Sequence, residues 1–219
     1  LPLQLGECSN NGIICREGIC YLKVGRTYTN PIISDKSVPD PTVVRANDGH
    51  FYLYATQTST YWMPIYRSKD LVNWEYQKTA FTQATKPSLS RGGAFWAPEM
   101  QYINGKYVLY FSWAKMNGAD VSYTAVAVSD SPLGPFPNSK ALITNEEFGS
   151  NAIDQFYYEE NGKKYMFFGS FKGIYVTELT DDGLSVKRDA KGKPVLKKQI
   201  CGNLFEGTNI YKKNGYYYL

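Results

Sequence analysis

The sequence predicts an all-β protein, a β-propeller with about three and a half blades in this chain. Three observations predict it. A unit of two aromatic-rich strands around a glycine turn occurs four times at nearly even spacing. A third and a fourth strand follow each of the first three hairpins, which makes a four-stranded antiparallel blade. No long run of 3.6-residue periodicity appears, so helices should be few.

The four units read Pro39–Thr56 (PDPTVVRANDGHFYLYAT), Trp96–Ser112 (WAPEMQYINGKYVLYFS), Ile153–Ser170 (IDQFYYEENGKKYMFFGS) and Phe205–Leu219 (FEGTNIYKKNGYYYL). Their turn glycines, Gly49, Gly105, Gly162 and Gly215, are 56, 57 and 53 residues apart. Each turn is Asp-Gly or Asn-Gly, the dipeptides that accept positive φ in a tight hairpin. The flanking runs are rich in Val, Tyr and Phe, which suit a pleated, half-buried surface. The outer strands fall in PIYRSKDLVNWEYQ, in TAVAVSDSPLGPFPNSKALI and in GIYVTELTDDGLSVKRDAKGKPVL. A β-sandwich with a chance likeness of hairpins is the competing architecture, but sandwich strands rarely keep so even a spacing. Residues 1–28 stand outside the repeat as an N-terminal arm or linker, and 29–219 form an incomplete propeller. An unclosed ring leaves an open edge strand, so the chain is expected to be part of a longer protein.

Composition narrows the function classes. The net charge is only +4, and the 24 basic residues are spread along the chain. No dense Lys/Arg run marks a nucleic-acid or anionic-membrane surface. No apolar stretch approaches the roughly 20 residues that span a bilayer. The 19 tyrosines and 4 tryptophans offer flat apolar faces with polar edges, suited both to sugar rings and to strands. Cys8, Cys15, Cys20 and Cys201 allow three full pairings, and free buried thiols are also open. Without a C-x-x-C pair or a nearby His, a zinc site is disfavoured, and a disulfide-permissive compartment is expected. Residues 1–6 show neither a basic n-region nor an h-region.

Counting back from the turn glycines exposes a pattern. Asp40 lies nine before Gly49, Trp96 nine before Gly105, Asp154 eight before Gly162 and Glu206 nine before Gly215. The innermost strand of each blade lines the central channel, so these four positions should meet around one mouth. Three carboxylates and a Trp suit glycoside hydrolysis. One carboxylic acid protonates the leaving oxygen and a second carboxylate acts from the opposite face. If the second serves as base on a water, the pair stands about 6.5–9.5 Å apart and the anomeric centre inverts. A third carboxylate raises the acid's pKa by like-charge repulsion. Trp96 can stack on a sugar ring.

These residues resemble glycoside hydrolase family 43, whose fold is a five-bladed β-propeller. The likeness rests on VPDPTVV, FWAPEMQYINGKYVLYFS, NAIDQFYYEENGKKYMFFGSF and FEGTNIYKKNGYYYL, in order and at blade spacing, over roughly 30–219. It implies that Asp40 is the general base, Glu206 the general acid and Asp154 the residue that tunes and orients that acid. Trp96 matches a pocket aromatic, and Glu99 follows it in the same W-A-P-E stretch as a second substrate-binding candidate. One departure is visible, since the family usually has Pro where Gln155 stands. N-A-I-D with G-S-F-x-G-I looks closest to the arabinan-degrading members. The expected enzyme is an inverting glycosidase of arabinose- or xylose-containing plant cell-wall polysaccharide, secreted, periplasmic or on the cell surface. Its partner is an oligo- or polysaccharide, with no nucleic acid and no membrane. No cofactor is required. Several arabinan-degrading members hold a channel calcium, so the resemblance leaves a structural calcium open, although no local loop here supplies the six to eight oxygens that ion wants, and no metal ligand is assigned.

Plainer readings stand beside these. Asp40 before Pro41 can start a turn, Asp154 can cap one, Glu206 can be a loop acid, and Trp96 can pack between blades. Glu99 can serve as a structural partner. Arg67 and Arg91 can reach sugar hydroxyls but are by default solvated. His50 beside its turn glycine reads as surface. Two rival functions remain. A non-catalytic propeller binding glycans or a protein would keep the blades and lose the acids. The invertase and fructan hydrolase group would show N-D-P and E-C where this chain has P-D-P and E-G.

Overall fold

The computed structural model describes residues 28–34, 36–87, 93–115 and 121–219 in full, and the backbone of 13–16, 19–22 and 118–120. Ile13–Arg16 (β1) and Ile19–Leu22 (β2) pair as a separate hairpin with Cys15 opposite Cys20. Cys8 and Arg91 lie outside the described residues. Three four-stranded antiparallel sheets follow. The first is Thr42–Arg45 (β3), Phe51–Tyr54 (β4), Pro64–Ser68 (β5) and Trp74–Thr79 (β6). The second is Ala94–Ile103 (β7), Lys106–Lys115 (β8), Gly118–Ser129 (β9) and Lys140–Thr144 (β10). A one-turn helix, Asn145–Phe148 (α1), leads into the third. That sheet is Phe156–Glu160 (β11), Lys163–Phe168 (β12), Ile174–Leu179 (β13) and Lys197–Cys201 (β14). Tyr211–Lys213 (β15) and Tyr216–Tyr218 (β16) open a fourth. Each sheet runs in sequence order from inner to outer strand, so these are three propeller blades and the first hairpin of another.

Turn chemistry sets the registers. Asn104-Gly105, Asn161-Gly162 and Asn214-Gly215 have positive φ at both central residues, as two-residue hairpin turns require. The first blade differs. Ala46 N–H donates to His50 O and Gly49 N–H to Ala46 O, giving a longer loop with one left-handed glycine. Asp48 fills that loop by accepting from His50 N–H and from the Tyr52 hydroxyl. His50 is half-buried there.

The cores lie between blades. β8 is buried along almost its whole length, and its side chains alternate between two clusters. Tyr107, Leu109, Phe111 and Trp113 face the first blade and meet Tyr52, Tyr54, Met63 and Ile65. Val108 and Tyr110 face the third and meet Tyr157, Met166 and Phe168. Such two-sided burial, about 1.5–3 kcal/mol for each large side chain, fixes the blade angle and therefore where the inner strands begin. Ile33 and Val38 pack on the far face of the first blade against Leu53 and Tyr66.

One outer strand departs from the sequence pattern. The fourth strand of the third blade lies at 197–201, beyond the segment ending at Leu196 in which the pattern places it. Residues 180–195 instead form two successive turns. Gly183 N–H donates to Thr180 O, and Gly192 N–H to Asp189 O. Lys187 pairs with Glu178 and Arg188 with Glu147, which holds this excursion on the sheet edge. Cys201, at the end of β14, is a free thiol. Arg67 sits on β5 and pairs with Glu75 across to β6, next to Tyr52 near the hairpin end of its blade.

Candidate active site

Each blade carries a residue in the left-handed region on or shortly before its inner strand: Asp40 (φ 49°), Ala97 (φ 38°) within β7, Asp154 (φ 56°) and Gly207 (φ 67°). Asp tolerates this conformation better than most side chains, whereas Ala seldom adopts it. These four are the true equivalents. Trp96 and Glu206 each stand one residue earlier, and the even count of nine arises because the first hairpin loop is longer. Asp40 and Asp154 therefore project from the turning residue itself. Glu206 reaches the mouth from the preceding position with one more methylene.

The mouth lies opposite the hairpin turns, where the second strand of each blade also ends. There a hydroxyl reaches toward the next blade. Thr56 donates to Asp40 Oδ2 (2.6 Å) and accepts from Ala97 N–H (2.7 Å). Ser112 accepts from Asp154 N–H (3.0 Å). Ser170 donates to Glu206 Oε2 (2.8 Å). Asp40 and Glu206 are exposed, and Asp154 is half-buried between them.

Asp154 senses both other acids. Burial, then the charge of Glu206, then that of Asp40 raise its carboxyl to about 6, against a single hydrogen bond from Gly207 N–H that favours the ionised form. The three sequence-predicted acids are thus close enough to share one electrostatic environment, as a pair or trio of carboxylates at one site must.

Trp96 is half-exposed on β7 opposite Ser112. It belongs to none of the described core clusters, unlike Trp62, Trp74 and Trp113. Glu99 lies further along the same strand. Its oxygens accept from Thr42 Oγ1 (3.2 Å) and Gln101 Nε2 (2.7 Å), so it ties β3 to β7. Desolvation raises its carboxyl to about 7, against hydrogen bonds from Gln101, Thr42 and Tyr157 N–H. Because the raised value means the folded state holds a proton that the unfolded chain releases, this group's contribution to stability is complete below about pH 4.5 and is lost as pH rises through 7. Glu99→Gln should therefore raise Tm by about 3 °C or more at pH 8 and leave it unchanged near pH 4.5, measured by thermal unfolding. An equal shift at both pH values would disprove the burial argument. Among the described residues no group of three or more His, Cys, Asp or Glu side chains is arranged to hold a metal ion.

Comparison with known proteins decides the family. The model of glycosyl hydrolases family 43 matches residues 28–219. The chain belongs to glycosyl hydrolases family 43. The extracellular endo-α-(1→5)-L-arabinanase 1 of Bacillus subtilis is 29% identical over 194 residues, covering 85% of this chain and 59% of that protein. An extracellular exo-α-(1→5)-L-arabinofuranosidase of Cellvibrio japonicus is 29% identical, covering 83% and 57%. A xylan 1,3-β-xylosidase of a Vibrio species is 30% identical, covering 88% and 37%. Among solved structures, the native arabinanase of Bacillus subtilis superposes with a TM-score of 0.63 at 26% identity, covering 84% of this chain and 65% of that one. The α-L-arabinanase of Cellvibrio cellulosa gives 0.61 at 28%, covering 84% and 64%. The chain thus spans between 37% and 65% of the length of these five proteins.

Within this family 43 chain, two features of the mouth were not singled out by spacing. The hydroxyls Thr56, Ser112 and Ser170 are the last residues of the first three repeat units, a signal visible in the sequence once the units are aligned. The G-S-F-x-G run owes its glycines to geometry. Gly169 has φ 137°, and a Cβ there would lie 2.2 Å from Gly173 O. Its N–H donates to Ile153 O (2.9 Å), and the neighbouring Ser170 holds Glu206. Gly169→Ala should cost about 2–5 kcal/mol through strain and overpacking, read as a fall in the denaturant midpoint. A midpoint within error of the parent would refute the close approach.

Proposed function

We propose that this propeller is the catalytic part of an inverting glycoside hydrolase acting on arabinose- or xylose-containing plant cell-wall polysaccharide. The observation that carries the reading is the convergence of Asp40, Asp154 and Glu206 on one mouth, with Asp154 responding to both of the others. In this scheme Asp40 removes a proton from a water molecule as that water's oxygen bonds to the anomeric carbon. The glycosidic C–O bond breaks, and the leaving oxygen takes the proton of Glu206. Asp154 stands beside Glu206 and orients it at the mouth. Trp96 offers a stacking face for a sugar ring, and Glu99 shapes the channel wall beyond it. Asp40 is exposed to solvent, where a water can reach it, and accepts the Thr56 hydroxyl.

The arabinan-degrading relatives favour α-L-arabinofuranosyl linkages, and the two described as extracellular favour a secreted protein. No described helix is long and apolar enough to cross a membrane. Retention of all three acids, each with a hydrogen-bond partner, favours catalysis over a propeller that only binds glycan. The test is a substrate screen of the full-length protein on arabinan, arabinoxylan, xylan and aryl glycosides. Release of arabinose or arabino-oligosaccharides is the expected result. Binding of these polymers without hydrolysis would refute the reading.

A further inference from the structure

Gln155 occupies the position where the family resemblance leads one to expect proline, and its side chain is 6% exposed. A buried amide with four hydrogen-bonding capacities needs partners. It has two, on opposite sides. Nε2 donates to Ala97 O, and Oε1 accepts from Ser112 Oγ (3.1 Å). A carbonyl can only accept, so Ala97 fixes which way the amide faces.

The two bonds close a continuous path between two acids. Thr56 Oγ1 donates to Asp40 and accepts from Ala97 N–H. Ala97 O accepts from Gln155, whose Oε1 accepts from Ser112 Oγ, and Ser112 Oγ accepts from Asp154 N–H. Ala97 is held in a conformation that Ala rarely adopts, with φ 38°, and both its N–H and its C=O are pinned by this path. Trp96 immediately precedes it. Moving Gln155 would thus disturb Asp40's partner, the Trp96 platform and the Asp154 backbone together. A β-strand hydrogen bond does not supply this link, because β7 carries a register irregularity between Trp96 and Glu99.

We propose that Gln155 is a positioning residue that sets the spacing between Asp40 and Asp154 by clamping the Ala97 peptide to Ser112. It touches no reacting atom and acts only through Ala97, Ser112 and Thr56. The inference rests on the glycosidase reading above. A rigid link of this kind matters because misplacement by about 1 Å can cost about 10²-fold in rate.

The test uses three variants of the full-length protein. Gln155→Met keeps the side-chain volume and removes both hydrogen bonds. Ser112→Ala breaks the path at its Asp154 end. The double variant combines them. On the best substrate from the screen, Gln155→Met should lower kcat about 10- to 100-fold while KM moves less than about threefold. Ser112→Ala should act in the same direction. The double variant should lose no more than the worse single variant, because both cut one path. Tm read alongside separates positioning from folding. Wild-type kcat in Gln155→Met, with or without a loss of Tm, overturns the proposal, as do multiplicative losses in the double variant. If Gln155→Met fails to fold, Ser112→Ala decides alone, and wild-type kcat there overturns it. A wild-type protein inactive on every substrate would overturn the glycosidase reading, and the clamp's role with it.

Discussion

Asp40→Asn and Glu206→Gln are each expected to lower kcat on polysaccharide by about 10²- to 10⁴-fold in the full-length protein, with little change in KM. Both replacements are isosteric and leave the hydroxyl partners Thr56 and Ser170 a side-chain oxygen to bond. The fold should therefore survive, and the loss should fall on chemistry. The two variants differ in one respect. Glu206→Gln removes protonation of the leaving group, so its defect should shrink on aryl glycosides whose leaving group departs without a proton. Asp40→Asn removes activation of water, so its defect should persist on every substrate. Steady-state kinetics on arabinan and on an aryl glycoside check both statements. Rates near wild type in either variant, or a Glu206→Gln defect equal on the two substrate classes, would break the assignment of roles.

The second large effect concerns Asp154. Its carboxyl stands at about 6 because it is buried and faces Glu206 and Asp40. The sign follows from proton counts. Between about pH 4 and pH 6 the folded state keeps a proton on this group that the unfolded chain has lost. Its contribution to stability is complete below that window and is gone above it. Asp154→Asn removes the titration and the repulsion but keeps an acceptor for Gly207 N–H. The variant should gain Tm relative to wild type as pH rises from 4 to 7, with the difference levelling off above 6. Its kcat should fall about 10²-fold, since the orienting charge beside the acid is lost. Greater stability with lower activity in one substitution is the pattern expected where like charges are held together for function. A pH-independent Tm difference would show that Asp154 is not crowded by its neighbours. The carboxylates interact, so the pH–rate profile reports the trio rather than single residues.

Much of this was legible in the sequence because it is local. A hairpin turn needs positive φ, and Asn-Gly supplies it within two residues, so the four glycines mark the blades without any knowledge of packing. The acids followed from their distance to those turns. The same reasoning misaligned Trp96 and Glu206 by one residue, because the Asp48-Gly49 loop is longer than the Asn-Gly turns and spacing alone does not reveal loop length. β14 was displaced for a similar reason. The run after Leu179 alternates like a strand, but two Gly turns with the Glu178–Lys187 and Glu147–Arg188 pairs fold it aside. The links between blades were the least legible. Thr56, Ser112 and Gln155 act on residues 41 to 58 positions away, and their partners are chosen by the blade angle that the Tyr, Phe and Leu side chains of β8 set. Gln155 could be noticed as a departure, but its bonds to Ala97 and Ser112 depend on where two neighbouring blades meet.

In the proposed mechanism Asp40 delivers a water rather than itself to the anomeric carbon. Time-resolved proton NMR of the first product formed by the full-length protein tests it most directly. The released sugar is expected to appear first with the anomeric configuration opposite to that of the substrate and then to mutarotate. A first product that retains the substrate's configuration would make Asp40 a nucleophile and contradict its role as general base.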